Sequence, residues 1–253
     1  MSETGSLIRS LSGRPAARNF HTFVINQIGL GIVTGRFPIG SILPSDGEMM
    51  EAYGVSRTVL REALRTLEAK GMVEARPKVG TRVSPRSRWN FFDPQVLSWH
   101  FDADLDRAFY EHLFDTRLAL EQRAADLAAR RRTAEQVRLM KYWVHQMELS
   151  ADQTEAHALA ALEVHRIVAD TSGNPMLRSV IGVVELCIAL GAKAGTEAEN
   201  REMRLRSTAD HQALVEAVEA GRPDEAGALV TRMVGDGLAH ALKGLKAPGQ
   251  PRP

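Results

Sequence analysis

The sequence predicts a mainly α-helical chain in two parts, a small winged helix-turn-helix followed by an antiparallel helical bundle, on three observations. Two short helices separated by a tight turn fill Leu43 to Gly71. Two strand-like runs around a basic turn come directly after them. From residue 104 to 242 every apolar pattern has helical spacing, and no strand is evident.

Taken in order, residues 1–18 are rich in Ser, Gly and Arg and are expected to lack order. Phe20 to Thr34 is apolar at helical spacing and stops at Gly35, giving a helix that underlies the reading unit. Pro44-Ser45-Asp46 is a start signal, since Ser45 or Asp46 can accept from free backbone N–H groups, and Glu48 sits in the first turn. Gly54 ends that helix. Ser56 then caps a second one, in which Leu60, Leu64 and Leu67 recur on a buried face.

The opposite face of the second helix carries Arg57, Arg61 and Arg65 four residues apart, with Thr58 beside the first. Such a row suits phosphates and guanine edges; alone, it also suits a solvated face paired by Glu62 and Glu68. The neighbouring segment favours DNA. Met72 to Ala75 and Thr81 to Val83 read as strands around Arg76-Pro77-Lys78-Val79-Gly80, a basic turn placed as a wing. A helix in the major groove meets base edges with its N-terminal residues, so Arg57, Thr58 and Arg61 are expected to face bases or flanking phosphates. Lys78 and Gly80 are expected to approach the minor groove or backbone.

These residues resemble the winged helix-turn-helix of the GntR family, whose proline, acidic residues and V-S-R-x-x-x-R-E-A-L pattern are met by Leu43 to Leu64. The resemblance implies a double-stranded DNA operator as partner and places Ser56, Arg57, Thr58, Arg61, Lys78 and Gly80 on contact positions, with Arg65 on the same face. Gly47 stands where some members carry an arginine, so the operator sequence is not inherited.

Composition agrees with two functions in one chain. The 253 residues exceed the needs of one winged helix. The net charge of +1 divides unevenly, about +6 over residues 1–90 and −5 over the rest, so only the first part supplies charge for DNA. One cysteine, Cys187, admits no internal disulfide and fits a reducing cytoplasm. No run reaches the roughly eighteen apolar residues of a membrane span, so no membrane partner is expected.

The expected domains are 19–84 for DNA binding, 85–103 as a linker, 104–245 for the bundle and 246–253 as a tail. The linker concentrates Trp89 and Trp99 and is expected to dock on a domain surface. Helices are expected at Asp104 to Arg132, Thr133 to Leu149, Thr154 to Thr171, Pro175 to Ala194, Glu199 to Ala220 and Asp224 to Leu242. Prolines 175 and 223 open two of them.

The bundle resembles the helical effector domain (FCD) of the FadR subgroup of that family, through Arg117-Leu118-Ala119-Leu120-Glu121, His165 ahead of Ser172-Gly173-Asn174-Pro175, and His211. The resemblance implies a cytoplasmic homodimeric transcription regulator, a repressor released by a small organic or sugar acid. A sugar acid is implied by the linker, whose W-N-x-x-D-P-x-V-L-x-W pattern resembles that of a sugar-acid-responsive member. It further implies that Arg117, His165 and His211 take part in effector binding.

Many members of the subgroup hold a divalent metal on an aspartate four residues before one histidine and on two later histidines. Here His165 and His211 match, but Ala161 occupies the aspartate position and the last histidine falls near Met233. No cofactor is therefore expected; zinc or nickel on His165 and His211 would lack an anionic partner. Arg117 can equally form an intrahelical pair with Glu121, the histidines (His157 among them) can be packed core residues, and the bundle can serve dimerisation alone after losing effector response. An enzyme would need a nucleophile with its base, a phosphate loop or a complete metal site, and none is visible.

Overall fold

The computed structural model describes residues 5–12, 20–103 and 105–245, and the chain divides into two units. One comprises residues 15–104. The other joins residues 1–14 to everything from 105 onward.

The chain begins with a short helix, α1 (Ser6–Arg9), continued by a 3-10 turn at Ser10–Ser12. Leu7 and Ile8 are buried. Order here differs from the sequence expectation for residues 1–18, because two apolar side chains inside a polar stretch have found a surface on the second unit. The remainder of that segment, and the tail from 246, lie outside the described residues.

The first unit is built on α2 (Phe20–Val33), α3 (Asp46–Tyr53) and α4 (Arg57–Ala69). Ser45 and Glu48 form a reciprocal capping box at the start of α3, and Gly54 ends it with φ 64°, a left-handed conformation that glycine adopts at no steric cost. Ser56 caps α4 through Val59 N. Val24, Ile28, Leu60, Leu67 and Met72 are wholly buried between these helices.

Strands β1 (Val73–Arg76) and β2 (Gly80–Val83) pair antiparallel, Val73 opposite Val83 and Arg76 opposite Gly80. Lys78 sits in the connecting turn with φ 62°. The linker is not a separate segment. It contains α5 (Pro94–Asp102), capped by Asp93, and belongs to this first unit. Trp99 is 2% exposed and donates from Nε1 to Asn26 Oδ1 at 3.0 Å, while Trp89 donates to the Ser84 carbonyl at 3.0 Å. Lys70 and Asp93 close the return at 2.7 Å. A Cβ on Gly71, whose φ is 75°, would lie 2.0 Å from the Arg88 carbonyl oxygen, so the linker passes where only glycine fits.

The second unit is the helical bundle: α6 (Arg107–Arg131), α7 (Ala134–Leu149), α8 (Thr154–Thr171), α9 (Pro175–Ser179), α10 (Ile181–Ala192), α11 (Glu197–Glu219) and α12 (Pro223–Leu242). Helix α6 packs along α12, α7 along α8, and α10 against both α8 and α12. Small residues let them approach: Ala125, Ala128 and Ala129 of α6 are fully buried. The single helix expected from Pro175 to Ala194 is two, interrupted at Val180 (φ −100°, ψ 16°), so that α10 can turn its apolar face inward. Among the described residues no helix is long and apolar enough to cross a membrane.

Candidate DNA-reading face and effector cavity

Helix α4 buries Leu60, Ala63 and Leu67 and leaves its basic face outward. Arg57, Thr58 and Arg61 are exposed along its first turns; Arg61 Nε lies 3.9 Å from Asp46 Oδ2 of the preceding helix. Arg65 is exposed too but paired with Glu62 at 2.7 Å, as the solvated-face alternative requires. Glu68 does not join that pattern: it accepts from Ala75 N and ties α4 to the wing. Ser56 Oγ is occupied in capping. At the wing, Lys78 and Gly80 are exposed at the turn, whereas Arg76 and Arg88 share Glu74 and Arg82 donates to the Gly40 carbonyl. Among the described residues Arg57 and Lys78 have no ion-pair partner, so their charges stand available to an anionic backbone.

The bundle holds a partly open cavity of about 110 Å³. Arg117, His165 and His211 converge on it, with Ala161, Cys187, Ile188, Met203, Ser207, Met233 and Gly237 around them. Arg117 is buried and donates from Nε to Glu121 Oε2 at 2.5 Å and from Nη2 to His165 Nε2 at 3.1 Å. Glu121 Oε1 in turn takes His165 Nδ1 at 2.5 Å. Burial alone would raise the Glu121 carboxyl, but the charge of Arg117 and the hydrogen bond from His165 outweigh it and bring the pKa down to about 2. The sequence offers Glu121 only as an alternative helix partner. In the fold it is the organiser of the cluster.

The tautomers follow from the partners. His165 Nδ1 faces a carboxylate and donates to it, while Nε2 accepts from Arg117 Nη2, which can only donate. His211 Nδ1 lies 2.7 Å from the Ser207 carbonyl, which only accepts, so its Nε2 is a lone pair as well. The two Nε2 atoms stand 3.1 Å apart. Burial, foremost, and the neighbouring His165 push the His211 pKa well below its usual value. Since His165 Nε2 already accepts from Arg117, it is the His211 Nε2 lone pair that has no donor among the described residues. His157, also at the wall, is engaged with Thr208 Oγ1 at 3.1 Å and is held at about 4 by burial and by the charge of Arg204.

Glycine shapes the cavity beside the guanidinium. A Cβ on Gly237 would press on Phe114 Cε1 at 3.3 Å and stand 4.0 Å from Arg117 Nη1, so glycine lets the Phe114 ring sit close beside the guanidinium. Sequence patterning carries no signal for this glycine, for Ser207 or for Cys187.

The model of the bacterial regulatory proteins of the gntR family matches residues 22–83, and that of the FCD domain matches residues 112–236. A galactonate operon transcriptional repressor from Escherichia coli K12 is 30% identical over 77% of this chain and 85% of its own length. The chain belongs to the GntR family, FadR type.

Other GntR relatives agree. The uncharacterized HTH-type transcriptional regulator YieP of the same strain is 35% identical over 65% of this chain and 72% of its own. The transcriptional repressor NanR of Enterobacter sp. strain 638 is 29% identical over 88% and 86% respectively. A solved structure described as Lar, which controls expression of the Listeria monocytogenes agr system, shares the fold with a TM-score of 0.64 at 17% identity, covering 90% of this chain and 99% of that one. The protein is thus a DNA-binding transcription regulator of the GntR type and not an enzyme.

The metal of other FadR-type members does not fit these residues. Both imidazoles have the Nδ1 partners that metal-bound histidines use, but Ala161 and Met233 supply no anionic or imidazole ligand, and Arg117 Nη2 already caps the His165 lone pair with a cation. Among the described residues no three His, Cys, Asp or Glu side chains are grouped to hold an ion.

Proposed function

We propose that this regulator is a cytoplasmic repressor that binds a palindromic operator as a homodimer and leaves it when a small hydroxylated carboxylate, a sugar acid first of all, enters the cavity of the bundle. On DNA, Arg57, Thr58 and Arg61 read the major groove with Ser56 at the helix start and Arg65 flanking, while Lys78 and Gly80 approach the backbone beside it. A dimer suits this reading because one recognition helix covers only a short half-site.

The observation that carries the ligand class is the pattern of donors and acceptors on the cavity wall. Arg117 faces the cavity beside Gly237, and its guanidinium is a donor for a carboxylate oxygen. Next to it, the Nε2 lone pair of His211 has no donor, His165 Nε2 being taken by Arg117 Nη2, and a hydroxyl supplies one. An acid with a neighbouring hydroxyl answers both. No metal is part of this reading. The ligand must bind the DNA-incompetent arrangement more tightly than the competent one, because only differential affinity shifts such an equilibrium.

The Arg117–Glu121 pair supports a second reading, in which the bundle only dimerises: the guanidinium charge is already balanced, and an anion gains less from it. Calorimetry with aldonic acids, run beside operator release by fluorescence anisotropy, separates the two. Saturable binding that releases DNA supports effector control, and the absence of both across a panel of hydroxy acids supports dimerisation alone.

A further inference from the structure

Helix α10 carries one ionisable carboxylate, Glu185, in an otherwise apolar run from Ile181 to Ala192. Its side chain is 5% exposed. A buried carboxylate is kept only where hydrogen bonds replace its lost water, and here they come from the far end of the chain. Leu7 N donates to Glu185 Oε1 at 2.6 Å, and the neighbouring amides of Gly5 and Ile8 lie near enough to favour its charged form. These are N–H groups that the first turn of a helix leaves without internal partners, and the helix dipole places partial positive charge on them.

The fit extends beyond one group. Leu7 is 6% and Ile8 0% exposed, and α1 packs on both α8 and α10. Gly5 holds φ 87°, a left-handed conformation that favours glycine, and a Cβ there would push on Leu159 Cδ2 of α8 at 2.8 Å. Ser10 Oγ closes the turn on the Leu7 carbonyl at 2.6 Å. The same two helices wall the cavity through Ala158, Ala161, His165, Cys187 and Ile188. In sequence, the DNA-binding unit of residues 15–104 stands between this arm and α6.

We propose that the surface of α8 and α10 is a docking site for the chain's own N-terminal arm, residues 5–12, with Glu185 as its anchor. The effector domain then grips the chain on both sides of the DNA-binding unit, through the arm before it and through α6 after it. Release of the arm leaves a single connection. The recognition chemistry is that of a buried carboxylate for the free amides of a short helix start, joined by two apolar side chains.

Hydrogen exchange on the full-length protein tests this without DNA or effector. The amides of residues 6–9 should exchange at least tenfold more slowly than in the free peptide of residues 1–14. Glu185→Leu, an apolar replacement on an apolar helix, should abolish that protection while α6 and α12 stay protected as in wild type. Leu7→Asp should do the same and touches only the arm, so it reads the docking even if the α10 variant perturbs the bundle. Arm amides that exchange at the peptide rate in wild type, or that stay protected in Leu7→Asp, overturn the docking site; protection that survives Glu185→Leu in a folded bundle overturns the anchor.

Discussion

Arg117 and Glu121, one helical turn apart on α6, form a buried ion pair whose carboxylate also holds His165, so the three side chains act as one hydrogen-bonded unit. Removing one member leaves the others unmatched. Glu121→Ala should cost on the order of 3–5 kcal/mol, because it strands a buried guanidinium. Urea unfolding measures it. A loss under about 1 kcal/mol would mean that water reaches Arg117 and that the pair is not a structural unit.

The cavity reading predicts a separation of binding from response. Arg117→Ala should retain operator affinity and ignore the acid. Gly237→Ala should do likewise, since its methyl group would press on Phe114 at 3.3 Å in the wall beside the guanidinium, whereas Gly235→Ala, with nothing within 4 Å of its added Cβ, should respond normally. Calorimetry and anisotropy on the three variants check this. A normal response in Gly237→Ala would place the ligand elsewhere.

On DNA, Arg61→Ala should weaken operator binding by about 1–3 kcal/mol and relax specificity, while Lys78→Ala should weaken all sequences alike and lower the salt slope by about one. Titrations on operator and scrambled DNA at several salt concentrations give both numbers. Unchanged affinity in both variants would reject the assigned reading face.

Purified protein should contain far less than one zinc or nickel per chain, because two lone pairs beside a guanidinium do not replace a four-ligand set. Elemental analysis decides the matter. One tightly held ion, lost in His165→Ala, would contradict the mismatch between this cavity and a metal.

Stability should fall as the pH drops from about 6.5 towards 4. The folded protein holds His157 at about 4, below its ordinary 6.5, so the unfolded chain binds the extra proton first. The contribution is complete above 6.5 and is lost towards 4. His157→Gln should make the fall in thermal stability across that window shallower, the remaining slope coming from His211, whose pKa is also lowered, and an equally steep wild-type and variant profile would assign the acid sensitivity to other groups. Loss of the Glu121 contribution belongs to lower pH, between about 4.5 and 2.

The helix-turn-helix was legible because its signals are local. Ser45, Glu48, Gly54 and Ser56 each act on backbone within a few residues, and the wing needed only two short runs around a basic turn. Helix boundaries in the bundle were legible for the same reason, apart from the break at Val180, where the nearest glycine, Gly182, lies inside the next helix and not at the break. The linker's tryptophans announced docking; that they dock within the DNA-binding unit depends on Asn26 and Ser84, which no spacing points to.

The sequence by itself determined the division in two, the fold class and the outward basic face of α4, since periodicity, caps and charge all operate over one or two helical turns. Only the tertiary structure decided how the polar groups inside the bundle are matched. Arg117 and Glu121 have the spacing of a pair, but His165 lies 48 residues beyond Arg117, His211 lies 46 beyond His165, and Glu185 meets Leu7 across 178. A buried polar group must find its partner wherever the fold brings one, and that distance along the chain is invisible to any local pattern.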